Sequence, residues 1–199
     1  MEYLLVCEKT VKKKALRSHM GGHILRAQMG VLEDNVKVAV SEVDPCGFCG
    51  QSGHRVRLVK EGRKWTFQPS STCPFTVPFS LGAAANSTKA SPSTNAPIRC
   101  TLCPSSSGDR GVVWKYNMAH RISTVHSGRN PDQPLPPALA TAMKVSRSEQ
   151  QALGIPQDSI DASDDEPDTN PQTSGGRKRK RAATVGGENS KRSKNKGRA

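Results

Sequence analysis

The sequence predicts small metal-stabilised α+β modules, β-hairpin knuckles plus short helices, with a disordered linker and a disordered C-terminal tail. Three observations lead there. Leu, Ile, Val and Phe number only 35 of 199 residues, below the one-fifth level at which a charged chain lacks apolar surface for one large core. The formal net charge is +13, which raises the cost of compaction further. The six cysteines include two C-x-x-C pairs, and of the five histidines His19 and His23 stand one helical turn apart, His54 follows Cys49 closely and His120 and His126 follow the second pair. Thiolates and imidazoles at such spacing are ligands for Zn2+. Structural zinc contributes roughly 10–16 kcal/mol of apparent binding energy, against a net domain stability of about 5–15 kcal/mol.

Residues 1–30 read as a partial finger with a His-bearing helix. Leu16, Met20, His23, Ile24 and Ala27 recur at helical spacing and predict a helix over residues 10–28, with Gly21 and Gly22 as a weak point costing roughly 1 kcal/mol each relative to alanine. His19 and His23 then share a face, and Cys7 precedes them at a finger-like interval. The partner cysteine would stand at position 4, which is Leu4, so Glu8, a water or another segment is required to complete the site.

Residues 36–82 read as a knuckle with a β-hairpin. Val36, Val38 and Val40 alternate with other residues as in a half-buried strand. Cys46 and Cys49 form the knuckle, His54 follows, and Cys73 arrives after a hairpin of residues 55–59 and 64–68 turning at Glu61 and Gly62. A Cys3His site of Cys46, Cys49, His54 and Cys73 is expected, with Phe75 and Phe79 docked on it. Two enzyme chemistries share this stretch. A thiol–disulfide active site requires a helix N-terminus at its first thiol, whereas Gly50, Gln51, Ser52 and Gly53 are turn formers. A nucleoside deaminase would add His-x-Glu to the Pro45–Cys46 start of its second motif, and no histidine supplies one. The chain is therefore not expected to be an enzyme.

Residues 83–96, rich in Ala, Ser, Thr and Asn, read as a flexible linker. Residues 97–128 then carry the clearest ligand set, a Cys2His2-type finger of Cys100, Cys103, His120 and His126. The two histidines are six positions apart, so the last helical turn must loosen for both to reach one ion. Sixteen residues separate Cys103 from His120, which implies a long hairpin with Gly108, Asp109 and Gly111 at its tip. Trp114, Tyr116 and Met118 are left as an apolar plug beneath this metal.

Residues 129–199 read as a mostly disordered tail. A short helix is expected over 146–153, with Ser146 and Glu149 at capping-box spacing and Gly154 and Pro156 as the stop. Too short to stand alone, it must dock on the fingers or on a partner. An acidic block occupies 158–168 and a basic block 177–198. Arg177, Lys178, Arg179, Lys180 and Arg181, then Lys191, Arg192 and Lys194, fit one- and two-cluster nuclear import signals. That places the protein in the nucleus with an import receptor as partner. No apolar run suggests a signal peptide or reaches the roughly 20 residues of a membrane span, so reduced cysteines and no membrane partner are expected.

The phrases LRSHMGGHIL, PCGFCGQSGH, an isolated CPF, RCTLC, WKYNMAHRISTVH and EQQALGIP occur in that order. Together they resemble a group of largely uncharacterised Cys2His2-type zinc-finger proteins of mushroom-forming fungi, often linked to mobile elements. The resemblance covers roughly residues 7–156 and rests on order and spacing. In that group a cysteine usually stands where this chain has His54, which the resemblance turns into support for His54 as a ligand. The first finger there commonly has the cysteine that is Leu4 here, which implies a shortened amino end. No activity follows from the resemblance.

The leading expectation is a nuclear zinc-binding protein that contacts nucleic acid, DNA in the first place. Residues 1–157 alone hold 20 basic and 10 acidic groups. Lys12, Lys13, Lys14, Arg17, Arg55, Arg57, Lys115 and Arg121 are the candidate phosphate contacts, and Asn117 suits adenine. A zinc-scaffolded protein-interaction module that binds no nucleic acid is the alternative, with the helix near Glu149 docking a protein partner. A thiol–disulfide oxidoreductase is third.

Overall fold

In a computed structural model, the described residues are 2–3, 6–60, 67–104, 111–130 and 132–156. All of them belong to one unit, Met1–Ala162. Leu4, the turn at Glu61 and Gly62, the hairpin-tip residues Gly108 and Asp109, the acidic block and the import clusters at 177–194 lie outside the described residues.

Strand β1 (Glu2–Tyr3) pairs antiparallel with β2 (Thr10–Val11), and a 3-10 turn (Lys13–Ala15) leads into α1 (Leu16–Gln28). Strands β3 (Val56–Lys60) and β4 (Phe67–Ser71) form a hairpin with Val56 opposite Ser71 and Lys60 opposite Phe67. A single turn, α2 (Leu81–Ala84), is capped by the Ser80 hydroxyl, which accepts from the Ala83 N–H. Strand β5 (Pro97–Arg99) pairs antiparallel with β6 (Val112–Trp114), and a second 3-10 turn (Lys115–Asn117) opens α3 (Met118–Val125). Helices α4 (Pro137–Met143) and α5 (Arg147–Ala152) follow. The result is the expected α+β character, built from short antiparallel pairs and helices.

Some elements differ from expectation for local reasons. Residues 10–11 join a strand, so α1 starts at Leu16 instead of Thr10. Among the described residues, 36–40 pair through a single bridge from Val36 to Cys7, although Val36 and Val40 still pack on the first core while Val38 is 43% exposed. An alternating pattern marks two faces, but a strand also needs a partner along its length.

Among the described residues the buried apolar side chains divide among three cores, each with at least one cysteine of a different candidate ligand group. The first gathers Val6, Cys7, Leu16, Met20, Ile24 and Leu25 with Tyr116, Leu153 and Ile155. The second gathers Cys46, Phe48, Cys49, Val56, Cys73 and Val112 around Trp114, with Phe75 and Phe79 packed against it as expected. The third is small: Cys100, Met118 and Leu139. Trp114, Tyr116 and Met118 are thus not one plug beneath one metal. The chain passes from strand to 3-10 turn to α-helix across residues 114–118, so their side chains enter three different cores. The aromatic contact of Phe48 edge-on to Trp114, 5.2 Å between centroids, adds about 0.5–1.5 kcal/mol beyond area burial.

The linker also differs from expectation. Ser93, Thr94, Asn95 and Ala96 are buried, because each polar side chain there has an internal partner. Arg17 donates to the carbonyls of Ser93 and Asn95 at 3.0 and 2.9 Å, and Asn95 Oδ1 accepts the Tyr116 N–H at 3.2 Å. Composition alone reads such residues as solvated; only their partners reveal the burial.

Gly21 is part of this contact. A Cβ placed there would lie 2.0 Å from Ser93 Oγ, and that hydroxyl is fixed by Tyr116 OH at 3.0 Å. Gly21→Ala improves helix propensity by about 1 kcal/mol, yet overpacking a filled site costs typically about 1–3 kcal/mol. We expect Gly21→Ala to lower the urea midpoint; a midpoint raised by the better helix former would refute the packing argument.

The fold does not end at residue 128. Leu139 of α4 is 1% exposed and packs on Cys100 and Met118. Helix α5 has the expected Ser146 cap, accepting the Glu149 N–H at 3.1 Å. It stops at Gly154, whose φ of +76° allows Gly154 N–H to reach the Gln151 carbonyl and Ile155 N–H the Gln150 carbonyl, both at 3.0 Å. The Glu149 carboxylate, however, is not the second half of a capping box. It accepts the Thr94 N–H at 2.6 Å, the Thr94 hydroxyl at 2.8 Å and the Tyr116 hydroxyl. With Leu153 and Ile155 in the first core, α5 docks on its own chain. Among the described residues, no helix is long and apolar enough to cross a membrane.

Candidate metal centres

Three groups of Cys and His converge among the described residues, each with one ligand atom per residue and all such atoms within 4.8 Å of one another. The fullest is Cys46, Cys49, His54 and Cys73, the set expected from the sequence. A tight knuckle aims the first two thiols: Gly50, at φ +74°, donates to the Cys46 carbonyl at 2.7 Å, and Cys46 N–H reaches the Gln51 carbonyl at 3.0 Å. Gly47 is required because a Cβ there would sit 2.5 Å from the buried Trp114 ring. The β3–β4 hairpin brings the chain back, with Thr72 N–H bonded to the Arg55 carbonyl at 3.1 Å, so Cys73 arrives beside His54. His54 Nδ1 lies 3.1 Å from Cys49 Sγ.

Electrostatics make this cluster receptive to a cation. Hydrogen bonds from Cys46 and then Cys73 pull the Cys49 thiol down to about 2. The same bond to Cys49 pushes Cys46 up to about 11, and bonds to Cys46 and Cys49 push Cys73 up as well. Protein atoms alone stabilise one thiolate by keeping its neighbours protonated. A dication lets all three ionise together.

The first centre brings together Cys7, His19 and His23. The regular α1 helix places the two imidazoles one turn apart, and the Cys7–Val36 bridge holds the thiol beside them. His19 Nε2 is 3.2 Å from Cys7 Sγ and 3.2 Å from His23 Nε2. Burial, then the charges of His23, Lys9 and Arg26, lower the His19 pKa to about 4, so its ring is neutral and able to ligate at physiological pH. His23 Nδ1 meets Glu33 Oε2 at 2.9 Å, which assigns the proton to Nδ1 and leaves Nε2 free to ligate. Arg26 holds the other Glu33 oxygen at 2.8 Å. Glu33 is not legible in the sequence: it lies ten residues beyond His23, past the helix end, with no spacing that marks it. Glu8, the expected substitute for a cysteine at position 4, is exposed and paired with Lys37 at 2.9 Å instead.

The third centre corrects the sequence reading. Cys100, Cys103 and His126 converge, with His126 Nε2 3.4 Å from both thiols, but His120 is not in the group. Helix α3 stays regular through Val125, and six residues of α-helix turn the chain by about 600°, which sets His120 roughly a third of a turn away from His126. The Arg121 guanidinium stands beside Cys103 Sγ at 3.2 Å.

The candidate phosphate contacts separate into two sets. Arg17 is buried in bonds to the residues 91–95 backbone and side chains and lies over the Phe79 ring at 5.3 Å, with its pKa lowered by that burial. Lys115, also desolvated, donates to Thr94 Oγ1 at 2.7 Å. Asn117 is buried and donates to the Pro45 carbonyl at 3.0 Å, so it is not placed to read a base. With Arg121 on Cys103, these four serve the interior. Lys12, Lys13, Lys14, Arg55 and Arg57 are exposed at the surface.

Compared with protein-family models, curated proteins and solved structures, the chain matches none of them.

Proposed function

We propose that the chain is a nuclear zinc-binding protein that contacts nucleic acid, DNA first, through basic surfaces carried on a zinc-held scaffold. The observation that carries this reading is the convergence of three Cys/His groups. Zinc fits their spacing: tetrahedral Zn–N and Zn–S bonds set two nitrogens about 3.3 Å apart and a nitrogen and a sulfur about 3.6 Å apart. The corresponding separations here are 3.2 Å for His19 to His23 and 3.1 to 3.4 Å for the Cys–His contacts. Kinship with the fungal zinc-finger group is part of the same proposal, supported by the order of the motifs.

Nucleic-acid contact rests on charge. The +13 chain keeps Lys12 and Lys14 on the turn before α1 and Arg55 beside β3 exposed, away from the interior bonds that occupy Arg17 and Lys115. Phosphate neutralisation by such groups releases counterions, so affinity for a duplex should fall steeply with salt. In full-length protein, Lys12→Glu with Lys14→Glu is expected to weaken binding equally across sequences and to reduce the salt slope by about one for each lysine replaced. Fluorescence anisotropy against salt checks both, and a flat salt response would sink the nucleic-acid reading.

The protein-interaction alternative is less well supported, because Glu149, Leu153 and Ile155, the face α5 would offer a partner, are buried in this chain. For the oxidoreductase reading, no α-helix begins at Cys46 to activate its thiol.

A further inference from the structure

We propose that the metal of the first centre keeps an exchangeable fourth position that takes an oxygen of a phosphate group. The inference rests on the zinc reading above and deepens it. Only three ligand residues converge there among the described residues, Cys7, His19 and His23, as at the third centre, whereas the second has four, and it is the lining of the adjoining cleft that singles out the first. Two carboxylates near these residues are committed elsewhere: both Glu33 oxygens bond to His23 and Arg26, and Glu8 pairs with Lys37. Leu4 and Leu5 have no donor side chain. A metal with three protein ligands beside an open cleft binds a solvent or substrate atom in the remaining position.

The cleft exists and its lining selects the ligand. A cavity of about 500 Å³ is bounded by His19 and His23 together with Lys9, Ser18, Arg26, Asn35 and Glu33, whose carboxylate is paired with Arg26. That is far larger than the roughly 30 Å³ share of one water. One thiolate and two imidazoles leave a dication with a net positive charge, and Lys9 adds to it, while Arg26 is offset by Glu33. Hydroxyl and amide donors beside two cations match a tetrahedral oxyanion with several acceptor oxygens. Glu33 orients His23 through Nδ1 and so stands outside the metal's own coordination positions. The shared chemistry is phosphate, whether free or at the end of a nucleic-acid strand.

The test uses full-length protein loaded with Co2+ and followed by its visible absorption bands. It is titrated with inorganic phosphate, with a duplex carrying 5′-phosphates and with the same duplex lacking them. Three equivalents of cobalt should bind, and phosphate should perturb the bands of one. A response to inorganic phosphate means that the free ion suffices; a response to the 5′-phosphorylated duplex alone assigns the strand end. Both support the proposal. His19→Ala should remove the responsive component, and Lys9→Glu should retain three equivalents while weakening the response about tenfold by charge reversal. Three bound equivalents with unresponsive bands, or a full response in His19→Ala, would overturn the proposal and leave the zinc scaffold standing. Binding of fewer than three equivalents overturns the three-centre reading itself.

Discussion

Chelation with excess EDTA is expected to unfold the region 6–156 in one cooperative step, with far-UV circular dichroism and tryptophan emission changing together. Among the described residues the buried apolar side chains form three small cores, and each contains at least one cysteine of a candidate ligand group. A structural zinc contributes roughly 10–16 kcal/mol of apparent binding energy, as much as the whole net stability of about 5–15 kcal/mol of a typical domain. The cores are also joined, since residues 114–118 enter all three in turn. Removal of one metal therefore loosens the segment on which the other two depend. Cys49→Ser is expected to reduce zinc from three equivalents to two, measured by elemental analysis, and to lower the remaining protein's melting temperature. Three resolved unfolding steps during chelation would instead mean independent modules.

Glu149→Ala is expected to be the most damaging substitution outside the ligands. The carboxylate is 1% exposed and accepts from the Thr94 backbone, the Thr94 hydroxyl and the Tyr116 hydroxyl. Removing it leaves buried donors without an acceptor and leaves the partly buried charges of Arg17 and Lys115 without a nearby counter-charge. Breaking a buried ionic network from one side costs about 3–5 kcal/mol, which for a unit of this size lowers the melting temperature by roughly 10 °C. Helix α5 should detach as well, because a six-residue helix has no stability of its own. Trypsin would then cut at Lys144 and Arg147 much faster than in the parent. An unchanged melting temperature would mean that Leu153 and Ile155 alone hold α5.

The candidate ligand residues are largely legible in the sequence because metal chemistry restricts side-chain types and short spacings. Cys46, Cys49, His54 and Cys73 converge as their spacing implies, as do Cys7, His19 and His23. His120 falls outside its expected group for a reason that sequence cannot supply, namely whether α3 loosens before its end. The surface residues are harder. Lys12 and Arg17 look alike in a basic helix, yet Arg17 is 5% exposed and bound to a segment more than seventy residues away.

By itself, the sequence determined that the chain would build small α+β units in which cysteines and imidazoles lie close enough to hold a metal, because those are consequences of composition and of short-range spacing. Only the tertiary structure decided that the units share residues 114–118, that the polar stretch 93–96 is interior, and that Glu149 and Glu33 act on groups distant in the chain. Long-range partners turn a polar side chain from solvated to structural, and composition contains no record of which partners the fold will bring.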